Sequence, residues 1–219
     1  MLIRVTGSSD GLAEYLSDGI KKGEPLKRTE RDIPIPLIGS LDMLEQYEKA
    51  ALEVVDYKGG NMKHITFSPS PRDMEKINKM DEEEKRNLYR SIAYDFIRFY
   101  APGYTEEEMI MYLEIHRPLT KKDKRRDYLV EQELIRNKGH EVVNLKTKEK
   151  IEHFHLVTAT HSFALGKQIN FRPFNPKIDD MFQRYLNEKY GLDNPKDFLL
   201  EKKERLDRKD LAQIFKDVT

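Results

Sequence analysis

Ile151-Glu152-His153-Phe154-His155-Leu156-Val157 alternates polar and apolar side chains through a β-prone run. On a strand, successive side chains leave opposite faces, so both imidazoles point one way and Phe154 and Leu156 the other. Alternate residues on one face lie about 7 Å apart, near enough for two rings to converge on one ion. Met109 to His116 reads the same way, with Tyr112, Glu114 and His116 on one face and Met111, Leu113 and Ile115 on the other. Set side by side in a sheet, the two strands offer three histidines and a carboxylate to a single point. That is a divalent-metal site with room for a ligand. The plainer alternative is a row of polar side chains turned to water, which is how His140 and His161 read.

The chain has 219 residues, enough for one sizeable core rather than two full domains. Lysine plus arginine equals aspartate plus glutamate at 39 each, so any basic footprint for nucleic acid must be local. The absence of cysteine excludes a disulfide framework, a thiolate metal site and a cysteine nucleophile. The apolar runs fall far short of a membrane span, and Met1-Leu2-Ile3-Arg4-Val5 is too short for the apolar region of a signal peptide. The expectation is a cytoplasmic protein without membrane insertion.

Along the chain, Leu2 to Val5 reads as a strand, and a turn rich in capping residues precedes a helix from about Leu12. Residues 23–36, with three prolines, read as a loop or extended crossing segment. Ser40 is a candidate N-cap for a helix through Leu41, Leu44, Tyr47, Ala51 and Val55. Met62 to Ser68 is a third strand, with His64, Thr66 and Ser68 facing one way and Ile65 and Phe67 the other. Asp81 to Tyr100 is an amphipathic helix. Arg117 to Arg126 holds six basic residues against one acid, either a solvated loop or a phosphate-contacting arm. A helix over 127–138, a strand from His140 to Leu145 and a turn at Thr147–Lys150 would lead back into the His153 strand. Phe163 to Asn170 suggests another hairpin, Lys177 to Tyr190 a helix, and 191–219 a charged helical tail that leads into a longer protein. The fold expected is α+β, with a central, mainly antiparallel sheet of about five strands. Helices at 12–20, 41–56 and 81–100 are expected on its apolar face.

The motifs in this order resemble the N-terminal domain of conjugative and mobilisation relaxases, in the HUH (His-hydrophobic-His) endonuclease superfamily. Gly11-Leu12-Ala13-Glu14-Tyr15-Leu16-Ser17-Asp18-Gly19, followed by Lys21-Lys22-Gly23, is similar to their tyrosine motif. Lys63-His64-Ile65-Thr66-Phe67-Ser68 is similar to the second motif, of the form His-x-x-x-Ser. Glu114-Ile115-His116 with Pro118, and His153-Phe154-His155, are similar to the split third motif. The likeness runs from residue 11 to about 170. Two departures are the long segment between His116 and His153 and the Thr158-Ala159-Thr160-His161 stretch after the His-x-His strand.

The resemblance implies site- and strand-specific nicking of single-stranded DNA at an origin of transfer. Tyr15 would be the nucleophile, and His116, His153 and His155 the ligands of a divalent metal. The ion would be Mn²⁺ or Mg²⁺: imidazole favours Mn²⁺ on ligand grounds, while Mg²⁺, which prefers oxygen, stays open as the ion used in cells. Glu114 would orient a histidine or accept the tyrosine proton, and Ser68 and His64 would hold the phosphate or the 3′ end. Lys21, Lys22, Lys121, Lys122, Lys124, Arg125 and Arg126 would lie against phosphates. Relaxosome accessory proteins and a coupling protein are the implied partners. Three alternatives remain open: a rolling-circle initiator or transposase of the superfamily (with Tyr185 as the competing tyrosine), a non-catalytic DNA-binding accessory module, and a metal-dependent hydrolase that uses water.

Overall fold

The computed structural model describes residues 1–8, 11–19, 32–54, 60–118, 151–194 and 197. Five strands form one antiparallel sheet: β1 (Leu2–Ser8), β2 (Asp32–Ile38), β3 (Met62–Ser68), β4 (Met111–Pro118) and β5 (His153–Ala159). They lie in the order β1-β3-β5-β4-β2, so the two histidine strands are direct neighbours. The helices among the described residues include α1 (Leu12–Asp18), α2 (Leu41–Val54), α3 (Pro71–Ile77), α4 (Glu82–Tyr100) and α5 (Pro176–Lys189). The expected hairpin near 163–170 is present as β6 (His161–Ser162) paired with β7 (Lys167–Gln168).

Alternation along the strands gives the sheet two unlike faces. On one, Ile65, Phe67, Leu113, Ile115, Phe154 and Leu156 pack against Tyr89, Ile92, Phe96, Phe182 and Leu186 of α4 and α5. Phe154 stacks between Phe67 and Tyr89, with ring centroids 4.6 and 4.4 Å apart. Burying side chains of this size supplies roughly 1.5–3 kcal/mol each before entropy is counted. α4 starts where a reciprocal capping box forms between Asp81 and Glu84, and α3 starts on the same device at Ser70 and Asp73.

The other face is divided. At one end Met62, Tyr112, Val157 and Ala159 form a second core with Leu12, Ala13 and Leu16 of α1 and Leu44, Tyr47 and Ala51 of α2. The histidines occupy the other end of the same face. This corrects the expectation that the helices at 12–20, 41–56 and 81–100 share the apolar face. Only α4 lies there, because Met62, Tyr112 and Val157 make half of the histidine face apolar as well.

Residues 32–38 are not a loop but an edge strand. Pro34 and Pro36 alternate with Ile33 and Ile35, so both missing N–H groups fall on one side of β2, which an edge position tolerates. The register shifts between Pro36 and Ile38, and Gly39 turns sharply, its Cα so close to the Met111 carbonyl that a Cβ would sit 2.3 Å away.

Gly191 to Asn194 is a turn rather than part of a helical tail, and it returns to α3, where the Asp193 N–H donates to Asp73 (2.6 Å). The expected helix over 127–138, the strand from His140 to Leu145, the turn at Thr147–Lys150 and most of the tail lie outside the described residues. So do Lys21, Lys22, Lys121, Lys122, Lys124, Arg125 and Arg126. No helix among the described residues is long and apolar enough to cross a membrane.

Candidate metal centre

The register of the five strands sets the site. One row across the sheet runs Arg4, Thr66, His155, Glu114, Pro36, and a neighbouring row holds His153, His116 and Pro34. His116 and His153 are directly opposed on β4 and β5, and His155 follows His153 on the same face. One ring nitrogen from each of the three histidines lies within 4.8 Å of the others. The His116 ring centroid is 4.3 Å from that of His155 and 5.0 Å from that of His153. The sequence-derived cluster of histidines is therefore assembled as expected.

The carboxylate is not at the point of convergence. Glu114 is fully buried and sits behind His116, accepting a hydrogen bond from His116 Nε2 (3.0 Å) and another from the Tyr112 hydroxyl (2.8 Å). A solvated acid, one reading of Glu114, is thereby excluded. A carboxylate that bonds the far nitrogen of a metal-facing imidazole orients the ring and strengthens its lone pair. His64 also acts from behind, its Nε2 sharing a 2.7 Å hydrogen bond with His155 Nδ1, while the Thr66 hydroxyl stands 3.3 Å from the same nitrogen. His153 Nδ1 donates to the Ile151 carbonyl (3.1 Å). Each bond occupies one ring nitrogen and turns the other, Nδ1 of His116 and Nε2 of His153 and His155, into the candidate ligand atom.

This donor set fits a transition ion. Ligand nitrogens about 2.1 Å from a tetrahedral ion stand roughly 3.4 Å apart, so the 4.8 Å outer limit asks for a closing movement on the order of 1 Å. Glu114 supports the fit by holding the His116 ring from behind. His116, His153 and His155 would hold the ion.

No protein-family model, no curated protein and no solved structure matches this chain.

Tyr15 lies on α1, the helix packed on the histidine face, and is 37% exposed. The core positions of α1 are filled by Leu12, Ala13 and Leu16 rather than by Tyr15. Three other described tyrosines have their phenols held against carboxylates. Burial and the Glu152 carboxylate push the Tyr89 phenol up, burial and Asp179 do the same to Tyr100, and burial and Asp95 raise Tyr190 to about 12. Tyr185 is 54% exposed, but it belongs to α5, on the opposite face of the sheet.

Two contributors were not read from the sequence. Glu48 of α2 accepts the Leu12 N–H (2.8 Å) and thereby caps α1, whose own N-cap, Gly11, has no side chain to do so. Arg4, exposed and in the same row as His155, has no carboxylate partner among the described residues. The alternation of β1 with β3 places Arg4 there, but only once their pairing is known. Ser68 lies on this face two residues beyond Thr66.

Proposed function

We propose that this domain nicks single-stranded DNA at an origin of transfer through a tyrosine nucleophile, as the resemblance to relaxases implies. One observation carries the reading: three histidines from adjacent strands converge on the sheet face against which the helix bearing the exposed Tyr15 packs. A bound divalent ion supplies positive charge against the charge that develops on a phosphodiester in its transition state. The phenol oxygen of Tyr15 bonds to phosphorus as the bond to the 3′ oxygen breaks, and the proton lost by the phenol is balanced by the one gained at the 3′ hydroxyl. The phosphodiester energy is retained in a 5′-phosphotyrosyl bond, so a 3′ hydroxyl can reseal it without another energy source. Glu114, His64 and Thr66 hold the imidazoles in orientation, while Arg4 and Ser68 line the approach for phosphates. Mn²⁺ suits the all-imidazole set better than Mg²⁺.

The test is incubation with labelled single-stranded DNA spanning an origin of transfer plus Mn²⁺, followed by denaturing electrophoresis. Wild type is expected to give a detergent-stable protein–DNA adduct, and Tyr15→Phe none, with DNA affinity retained. An adduct that persists in Tyr15→Phe and maps to Tyr185 would support the transposase-like arrangement instead. Metal-dependent cleavage without an adduct would indicate a water-using hydrolase, and binding without cleavage an accessory module.

A further inference from the structure

Behind the histidines, on the opposite face of the sheet, lies a buried charged cluster that the nicking reaction does not use. Glu152 Oε1 takes Lys85 Nζ at 2.6 Å and the Tyr89 hydroxyl at 2.9 Å, and Glu152 Oε2 takes Arg117 Nε at 3.0 Å. Arg117 in turn reaches Glu82 at 3.1 Å. Lys85 and Glu152 side chains are only 6% and 7% exposed. Glu82, Lys85 and Tyr89 lie along one stripe of α4, at helical spacings of three and four.

The position of the cluster on the strands matters more than its strength. His116 and His153 face each other across β4 and β5, and Arg117 and Glu152 each stand one residue further out. Alternation sends the histidines to one face and Arg117 and Glu152 to the other. The same two strand ends are thus held from behind by α4. Ile151, whose carbonyl accepts the His153 Nδ1 proton, is bonded directly to Glu152. A one-residue slip here would turn a histidine to the wrong face, and a smaller shift would change the angle between the ligands.

We propose that the Lys85–Glu152–Arg117 cluster is a positioning clamp for the metal site, with α4 fixing the distance and angle between His116 and His153. The inference rests on the three-histidine reading above. Replacing Glu152 with Gln weakens three contacts at once and leaves two cations without their shared anion.

Calorimetric titration with Co²⁺ and its visible absorption spectrum test the clamp in wild type, Glu152→Gln, Arg117→Gln and Leu186→Ala. Arg117 is 35% exposed, so its neutral variant tests the clamp even if Glu152→Gln does not fold. Leu186, fully buried in α5, is the control for stability alone. Glu152→Gln is expected to weaken Co²⁺ binding about tenfold or more and to alter the spectrum, with Arg117→Gln following several-fold. Leu186→Ala should lower thermal stability and leave affinity and spectrum as in wild type. Wild-type affinity and spectrum in both Glu152→Gln and Arg117→Gln would overturn the clamp and leave the histidine site standing. An equal loss in Leu186→Ala would overturn the clamp as mere stability. A wild-type protein that takes no Co²⁺ overturns both readings.

Discussion

His155 has one ring nitrogen turned toward His64 and Thr66 and the other toward His116 and His153, and this division of labour recurs in each member of the cluster. His153→Ala or His155→Ala removes a candidate ligand, the first half-buried and the second buried, and both lie outside the two hydrophobic cores. Either should abolish Mn²⁺ or Co²⁺ binding and DNA cleavage while the thermal midpoint moves little. A midpoint that collapses in both would mean that the rings serve the fold. Arg4 is exposed and belongs to the same row as His155, and no carboxylate among the described residues pairs with it; the proposed reading sets its guanidinium against a phosphate. Arg4→Ala is expected to weaken single-stranded DNA binding and to reduce the slope of log affinity against log salt by about 0.7. An unchanged slope assigns the phosphate contacts elsewhere on the chain.

Among the elements, α1 carries the proposed nucleophile, and it is a short helix with no side-chain cap of its own. Seven residues do not sustain a helix in water, so α1 depends on Leu12 and Leu16 packing against α2 and on the Glu48 carboxylate at its N-terminus. Its far end is equally constrained, because a Cβ on Gly19 would come within 2.6 Å of the Tyr15 backbone and ring. Glu48→Ala should cost about 1–2 kcal/mol in urea unfolding and, on the proposed reading, reduce adduct formation more than DNA affinity, since the helix bearing Tyr15 is what loosens. Equal losses in adduct formation and affinity would show instead that α1 contributes to DNA binding as a whole.

At the scale of the molecule, the sheet keeps two unlike faces apart. Its aromatic face packs on α4 and α5, while the histidine cluster lies on the other. The outer layer is tied together at α3, where Asp73 accepts the N–H groups of Ser70 and Asp193 and pairs with the Met1 amino group at 3.0 Å. Burial opposes ionisation of Asp73, but the two N–H groups and the ammonium outweigh it and hold the carboxyl below its ordinary 3.8. A folded-state value below the unfolded one means that the stabilisation is complete above pH 3.8 and is lost as the pH falls through the folded value. Asp73→Asn should therefore be less stable than wild type at pH 7, and the gap should narrow as acid is added, read from urea midpoints across the range. A gap that stays constant would show that Asp73 acts through packing rather than charge.

Local periodicity alone settled the histidine strands. The alternation in Tyr112-Leu113-Glu114-Ile115-His116 and in His153-Phe154-His155 dictates which side chains share a face whatever the strands pair with. The capping boxes at Ser70 and Asp81 are likewise written within four residues, and so is the amphipathic stripe of α4. What the sequence could not decide is what lies opposite each face. Met62, Tyr112 and Val157 read as part of a polar face until α1 and α2 cover them. Pro34 and Pro36 read as breakers until β2 is seen at the sheet's edge, where an absent donor costs nothing. Glu114 reads as a ligand or a solvated acid until the pairing of β4 with β5 buries it behind His116. Glu48, Arg4 and the Lys85–Glu152–Arg117 cluster depend on partners 35 to 67 residues away. Contacts at such separations leave no periodic trace, because their energy is realised only after the sheet has ordered its strands.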